Sequence, residues 1–370
     1  METKKHYAPG SYPDLPPPPG TIGIVGWLHK NLFSSVGNSI LSVVTILFLY
    51  WLVTASAGWF VLDAVADASS RKECRTIDSG ACWAVIFKRI GQFVYGFYPH
   101  AERWRPDTAF IFLIVAVAPL LYPNLPFRRQ LFWFSAVYPA LAYFLICGGI
   151  FGLPEVGTNK FGGFMLTMIV GVTGIGASLP IGIALALGRQ SRLLSVRVIS
   201  IAFIEFMRGV PLITLLFVAS TMLNYFLPPG TTFNLLLRVL IMVTFFASAY
   251  IAEVIRGGIQ AIPKGQYEAA AAMGLNYWQT TMLVTLPQAM KISIPGIVNT
   301  FIGLYKDTTL VVVIGLLDPL GIGRAALADA KWNGLSTETY LFVALFFFVS
   351  CFAMSRYSLW LEHRLNTEHK

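Results

Sequence analysis

Stretches of apolar residues long enough to cross a bilayer constrain this chain more than any other feature. A span needs ~17–25 mostly apolar residues. In lipid every backbone N–H and C=O must be paired within the protein, so such runs become helices. The runs lie near 37–57 ("GNSILSVVTILFLYWLVTASA"), 107–122, 131–152, 162–187, 210–228, 234–254, 292–317 and 339–356. They predict an all-α polytopic transmembrane helical bundle of about eight spans. Composition agrees. Apolar residues make up 56% of the chain and charged residues 12%, where soluble domains carry about 25% charged. The net charge of +9 does not point to nucleic acid, because the basic residues flank apolar runs, as in a membrane protein oriented by its loops.

Those basic residues set an orientation. Arg128 and Arg129, then Arg189, Arg192 and Arg197, then Arg256, Lys264 and Lys291, and the residues after span eight all fall on one side. The short loops "GLPEVGTNK" and "LPPGTTFN" hold one lysine between them. Both termini are therefore expected in the cytoplasm. The segment 58–106 should be outside despite its seven basic residues, since long exported loops obey the charge rule less strictly. Within it, "ACWAVIFKRIGQFVYGFY" (81–98) reads as an amphipathic helix on the membrane surface. Cys74 and Cys82 can pair if this loop is exported, whereas Cys147 and Cys351 lie in apolar runs and read as packing residues. The five histidines show no metal-ligand spacing, and no metal site is expected. The proline-rich opening, residues 1–36, reads as a disordered cytoplasmic tail.

The stretch "EAAAAMGLNYWQTTMLVTLP" (268–287) breaks the apolar pattern. Pro263 can open a helix, because its missing N–H is an orphan there anyway. Residues 266–273 are strong helix formers. Gly274 stops them, as glycine does at a left-handed helix end. Asn276 with Gln279 resembles a capping box for a second helix, running to about Leu286, where Pro287 breaks it and can open the next. Helix, glycine turn, helix has two readings: a connector resting on the membrane surface, or a plug for a groove on another protein.

The same stretch resembles the EAA motif of bacterial ABC importer permeases: Glu268, Ala269, Ala270, Gly274, Leu286 and Pro287 fall on it. "FIEFMRGVPLI" (203–213), "YIAEVIRGGIQAIPKGQYEAA" (250–270) and "LYKDTTLVVVIGLLDP" (304–319) resemble the polar amino-acid uptake branch, and the extended form resembles general L-amino-acid permeases of Gram-negative bacteria. The resemblance implies an ABC type I importer permease core in the bacterial inner membrane, with a coupling loop docked on the ATPase. It implies an ATP-binding subunit dimer, a second and different permease, a periplasmic amino-acid-binding protein and membrane lipid as partners, and no nucleic acid. Domains are then expected at 1–36 (tail), 37–160 (extension with three spans and a long extracytoplasmic loop), 161–360 (core with five spans and a coupling loop at 256–291) and 361–370 (tail). No G-x-x-x-x-G-K-[ST] loop occurs, so the chain is not expected to be an enzyme or to hold a cofactor; ATP and Mg belong on the ATPase subunits.

Charged residues at bilayer depth are costly and mark function. Lys306 and Asp307, with Thr308 and Thr309, sit inside the seventh run and either line a substrate path or form a structural ion pair. Two E-x-x-R-G patterns, Glu205–Arg208 and Glu253–Arg256, put acid and base on one helix face at a span end. They read as interfacial ion pairs or as a gate that senses the coupling loop. An ion-gradient-driven secondary transporter of small polar solutes is the alternative, with Lys306 and Asp307 as its relay.

Overall fold

The computed structural model describes residues 23–122, 125–150, 152–222, Tyr225, Pro228 and 233–366. It divides into two compact units: one holds residues 1–66 and 74–82, the other 67–73 and 83–370. Among the described residues no strand forms, only two isolated bridges.

In the first unit, α1 (Gly23–Asn31) is a helix inside the segment expected to be disordered; residues 1–22 of that tail lie outside the described residues. Ser35 caps α2 (Val36–Ala57), accepting from the Asn38 N–H at 3.2 Å, and no residue of α2 is buried. Val65 bridges to Cys82, and Cys82 forms a disulfide with Cys74. Cys74 lies on α3 (Arg71–Ile77).

The second unit contains α4 (Ala84–Tyr95), α5 (Trp104–Leu121), α6 (Arg128–Cys147), α7 (Gly163–Arg189), α8 (Leu194–Gly209), α9 (Leu212–Thr221), α10 (Leu235–Gln260), α11 (Lys264–Ala272), α12 (Tyr277–Gln279), α13 (Leu286–Asp307), α14 (Pro319–Leu327) and α15 (Ser336–Asn366). Across both units, six helical runs among the described residues are long and apolar enough to cross a membrane, and the bent pair α8–α9 makes a seventh. This refines the expected count of about eight. The expected span at 107–122 is α5, with Arg105 and Asp107 in its first turn. That leaves about 20 Å of apolar helix at ~1.5 Å per residue, short of a bilayer core of ~30 Å.

Two prolines shape the helices. Pro211 forces a 102° bend, because the residue before it, Val210, is pushed to an extended conformation (φ −109°, ψ 132°). Of the run expected at 210–228, α9 is the described helix, and most of 223–232 lies outside the described residues. Pro287 opens α13 in its first turn, as read from the sequence, but without a break from the helix before it. The helical run Tyr277–Ile314 passes through it, with a π-helical segment at Thr280–Thr285. The wider π turns accommodate the ring and the missing donor where an α-helix would clash.

α10 is the central element. Val239, Val243, Ala247, Ile251, Ile255 and Ile259, four residues apart, are all buried. On α7, a Cβ at Gly182 would lie 2.6 Å from Ile251 Cγ2, so the two helices meet at a distance only glycine permits. α4, expected as an amphipathic surface helix, packs one face on protein: its Ala84, Val85, Ile86 and Phe93 are buried, while Phe87 and Ile90 stay exposed. A Cβ at Gly163 (φ +59°) would sit 1.9 Å from the Phe93 carbonyl oxygen, and Phe93 meets Phe342 of α15 edge-on at 5.3 Å. Arg105 is fully buried and closes the end of α6: Nε donates to the Leu145 carbonyl at 2.6 Å and Nη2 to that of Ile146 at 3.2 Å. These are orphan helix-end acceptors.

α14 starts at Asp318, which is fully buried and accepts from the Gly321 N–H at 2.8 Å. Burial pushes its carboxyl up to about 6 from 3.8, against the pull of the Gly321 and Leu320 N–H groups and Arg324. A raised folded value means the stability it contributes is complete below about 3.8 and lost as pH rises through about 6. Glu73, held low by Ser69, and Asp329, held low by the Lys331 N–H, act in the opposite sense, so the test is a difference: Asp318→Asn, which keeps the acceptor, should raise the unfolding temperature of the detergent-solubilised protein relative to the native chain more near pH ~7 than near pH ~4. The same difference at both pH values would show that Asp318 does not titrate in this range.

Candidate functional site

α10 runs directly into a short elbow. Ile262 is buried and Pro263 (φ −60°, ψ 140°) turns the chain into α11. α11 ends where Gly274 takes φ +75°. There the Gly274 N–H donates to Ala271 at 2.9 Å and the Leu275 N–H to Ala270 at 3.1 Å, bonds that satisfy the last carbonyls of a helix. The capping box of Asn276 and Gln279 forms as read from the sequence: Gln279 N donates to Asn276 Oδ1 at 2.9 Å and Asn276 N to Gln279 Oε1 at 3.0 Å. Gln288 Nε2 donates to Gln266 Oε1 at 2.9 Å and joins the start of α11 to α13.

The motif residues divide by role. Ala270 is 1% exposed. Leu286 is half-buried in the cluster around Ile255 and Ala289. Pro287 is exposed in the first turn of α13. Glu268 and Ala269 are exposed, and among the described residues no hydrogen bond or ion pair engages the Glu268 carboxylate. Around them Met273 (69%), Tyr277 (54%), Trp278 (63%) and Leu283 (68%) are open. The elbow is thus closed on itself by backbone and capping bonds, while its outer face carries an uncompensated carboxylate beside apolar groups.

At the base of the elbow Glu253–Arg256 forms its expected intrahelical pair, whereas Glu205 pairs with Arg189 and Arg208 lies nearest Glu253. The two E-x-x-R-G patterns merge into one cluster through Arg189, the last residue of α7, which the sequence marked only as a loop cation. Arg189 Nη1 lies 2.9 Å from Glu205 Oε1 and 2.5 Å from Glu253 Oε1. Arg256 grips the other oxygen of Glu253 with Nε at 2.9 Å and Nη2 at 2.8 Å. Arg208 lies 3.8 Å from Glu253 and over the Tyr250 ring. No signal along the chain links 189 to 205 and 253; only the packing of α7, α8 and α10 does.

Lys306 and Asp307 are not brought into a comparable cluster. Lys306 is exposed and Asp307 half-buried, and as neighbours on a helix they diverge. The Thr308 and Thr309 hydroxyls donate to the Tyr305 and Lys306 carbonyls at 2.7 and 2.9 Å, where α13 tightens into a 3-10 segment. Among the described residues no group of three His, Cys, Asp or Glu could hold a metal ion.

Residues 178–367, from the middle of α7 onward, match the family described as the binding-protein-dependent transport system inner membrane component. The chain belongs to that family. It is 46% identical to the glutamate/glutamine/aspartate/asparagine transport system permease protein BztC of Rhodobacter capsulatus, over 96% of each chain. It is 47% identical to the inner membrane amino-acid ABC transporter permease protein YhdY of Escherichia coli K12, over 96% of this chain and 97% of that one. A probable glutamine ABC transporter permease protein of Bacillus subtilis, GlnM, is 34% identical and aligns over 93% of its own length but 56% of this chain. The elbow and the whole charge cluster lie inside the family match, so the permease carries both within its core.

The cluster's energetics can be separated. Glu253 is 14% exposed and Glu205 54%. In double-mutant cycles the Arg189–Glu253 coupling should reach ~1–3 kcal/mol, while Arg189–Glu205 stays below ~1 kcal/mol because water screens the exposed carboxylate. Equal couplings would show that both carboxylates are solvated alike.

Proposed function

We propose that this permease is the translocation subunit of an ATP-driven ABC importer for amino acids, and that the elbow at Glu268–Pro287 couples it to an ATPase on a separate chain. The observation that carries this is an elbow held together by its own caps, with an unpaired carboxylate and apolar groups facing outward. A thin alanine helix stabilises the permease little by its own burial; it suits close approach of another backbone. The expected complex holds an ATP-binding subunit dimer with ATP and Mg, a second permease and a periplasmic amino-acid-binding protein. The permease itself makes and breaks no bonds and alternates access to a path between its spans and those of the second permease. Membership of a binding-protein-dependent family, with amino-acid permeases as relatives over nearly the full length, weighs against an ion-gradient transporter.

The disulfide between Cys74 and Cys82 supports an oxidising location for the 58–106 loop, hence the periplasm, with both termini cytoplasmic. In this reading residues 37–160 extend a core at 161–360. Lys306 and Asp307 border the substrate path, and the Arg189 cluster ties the elbow's base to α7 and α8.

Purification from mild detergent should bring down an ATP-binding subunit with the native chain, and Glu268→Lys should lose most of it while the permease stays membrane-inserted. Mass spectrometry identifies the ATPase and shows whether the second permease is a different chain. Undiminished capture by Glu268→Lys would remove Glu268 from the docking face, and absence of any ATPase from the intact native chain would overturn the importer reading.

A further inference from the structure

A groove of about 460 Å³ lies beside the elbow, between the end of α7, the α7–α8 turn and the α12 region. Its walls include Ile183, Leu187, Val196, Tyr277, Trp278 and Met282. They are apolar or aromatic and open to the outside of the chain: Trp278 is 63% and Met282 49% exposed. Two cations are chain neighbours of groove-lining residues: Arg192 lies between Ser191 and Leu193, and Arg197 follows Val196. Arg192 and Arg197 are both exposed, and among the described residues neither has an acidic or hydrogen-bonding side-chain partner. The neighbouring Arg189 cluster does not offset them, because it holds three arginines against two glutamates.

The end of α7 places this groove relative to the membrane. α7 is long and apolar enough to cross a bilayer and ends at Arg189, next to the groove residues Leu187, Gly188 and Ser191. The following helix, α8, buries Ser200, Ile204 and Met207 against the protein, yet leaves Leu194 (66%), Ile199 (69%) and Phe206 (58%) exposed. A span end followed by a helix with outward apolar residues and flanking arginines, beside Tyr and Trp, has the character of a headgroup-level element.

We propose that this groove binds an anionic phospholipid, with an acyl chain between the α7 end and Trp278 and its phosphate between Arg192 and Arg197. Apolar walls call for a hydrocarbon tail, which free phosphate lacks. The two uncompensated cations call for a net negative headgroup, which a zwitterionic lipid does not offer. Because Tyr277, Trp278 and Met282 belong to the elbow, the bound lipid would bear directly on the segment that reaches toward the ATPase. The proposal rests on the elbow lying at the membrane interface, not on ATPase docking, so it can fail or hold independently of the pull-down above.

The test uses the purified complex in vesicles of phosphatidylcholine containing, in turn, dibrominated phosphatidylglycerol or dibrominated phosphatidylcholine at equal mole fraction. Bromine quenches tryptophan on contact. The chain has nine tryptophans, so the Trp278 share is the difference between the native protein and Trp278→Phe. That share should be quenched several-fold more by the brominated phosphatidylglycerol, and Arg192→Gln/Arg197→Gln should abolish the preference. Equal quenching by the two lipids would overturn the anionic selectivity. A preference that survives the double substitution would overturn the assignment of the headgroup. No quenching by either lipid would mean that protein covers the groove in the complex, which would also overturn the proposal.

Discussion

The close packing of α10 on α7 is the constraint on which the rest of the permease depends. Between helices in lipid there is no hydrophobic drive, because acyl tails are as apolar as leucine; what holds the helices is contact distance. The buried residues of α10 repeat every fourth position from Val239 to Ile259, and Gly182 lets Ile251 approach the α7 backbone. At the far end of α10, a Cβ on Gly258 would come within 2.6 Å of the Ala289 carbonyl oxygen, so α13 is held equally near. A displacement of the elbow, which is covalently continuous with α10 and α13, must therefore move at least one tightly packed helix.

The charge cluster makes sense against that packing. Burying a carboxylate to the extent of Glu253 is costly unless several cations share it, and three arginines from three helices converge there. The cost is recovered only when α7, α8 and α10 are in register, which makes the cluster a device for fixing relative position more than a source of stability. Arginine suits the role at Arg256, whose Nε and Nη2 both reach Glu253 in the fixed geometry of one planar group.

How much of this was legible in the sequence depends on how local each feature is. The elbow was: its helix formers, Gly274 and the Asn276–Gln279 box lie within twenty residues and act on their own backbone. The spans were, because length and apolarity suffice. Features that depend on distant partners were not. The protein contact of α4 was not, because an apolar stripe is the same whether it meets lipid or protein; the close junction of Phe93 with Gly163 depends on distant α7. Arg189 looked like a topology marker because Glu205 and Glu253 approach it through packing alone. That Pro287 opens α13 was legible; that the helix before it runs on unbroken was not, because it depends on the π turns there.

The exposed face of the elbow then has a physical reading. A helix that buries only Ala270 gains little from its own fold, so its geometry must be fixed from its ends. Pro263 and buried Ile262 fix one end; the left-handed glycine and the capping box fix the other. End-fixing leaves the outer face free of intrachain contacts yet rigid, which lowers the ordering cost when another surface meets it. The apolar groups beyond Gly274 divide between two neighbours. Met273 and Leu283 are not among the groove's lining residues, whereas Tyr277, Trp278 and Met282 are. The same short segment is therefore built to feel a protein through Glu268 and its neighbours, and the bilayer through Trp278. A change in either contact reaches α10 and α13 through an elbow too tightly capped to absorb it.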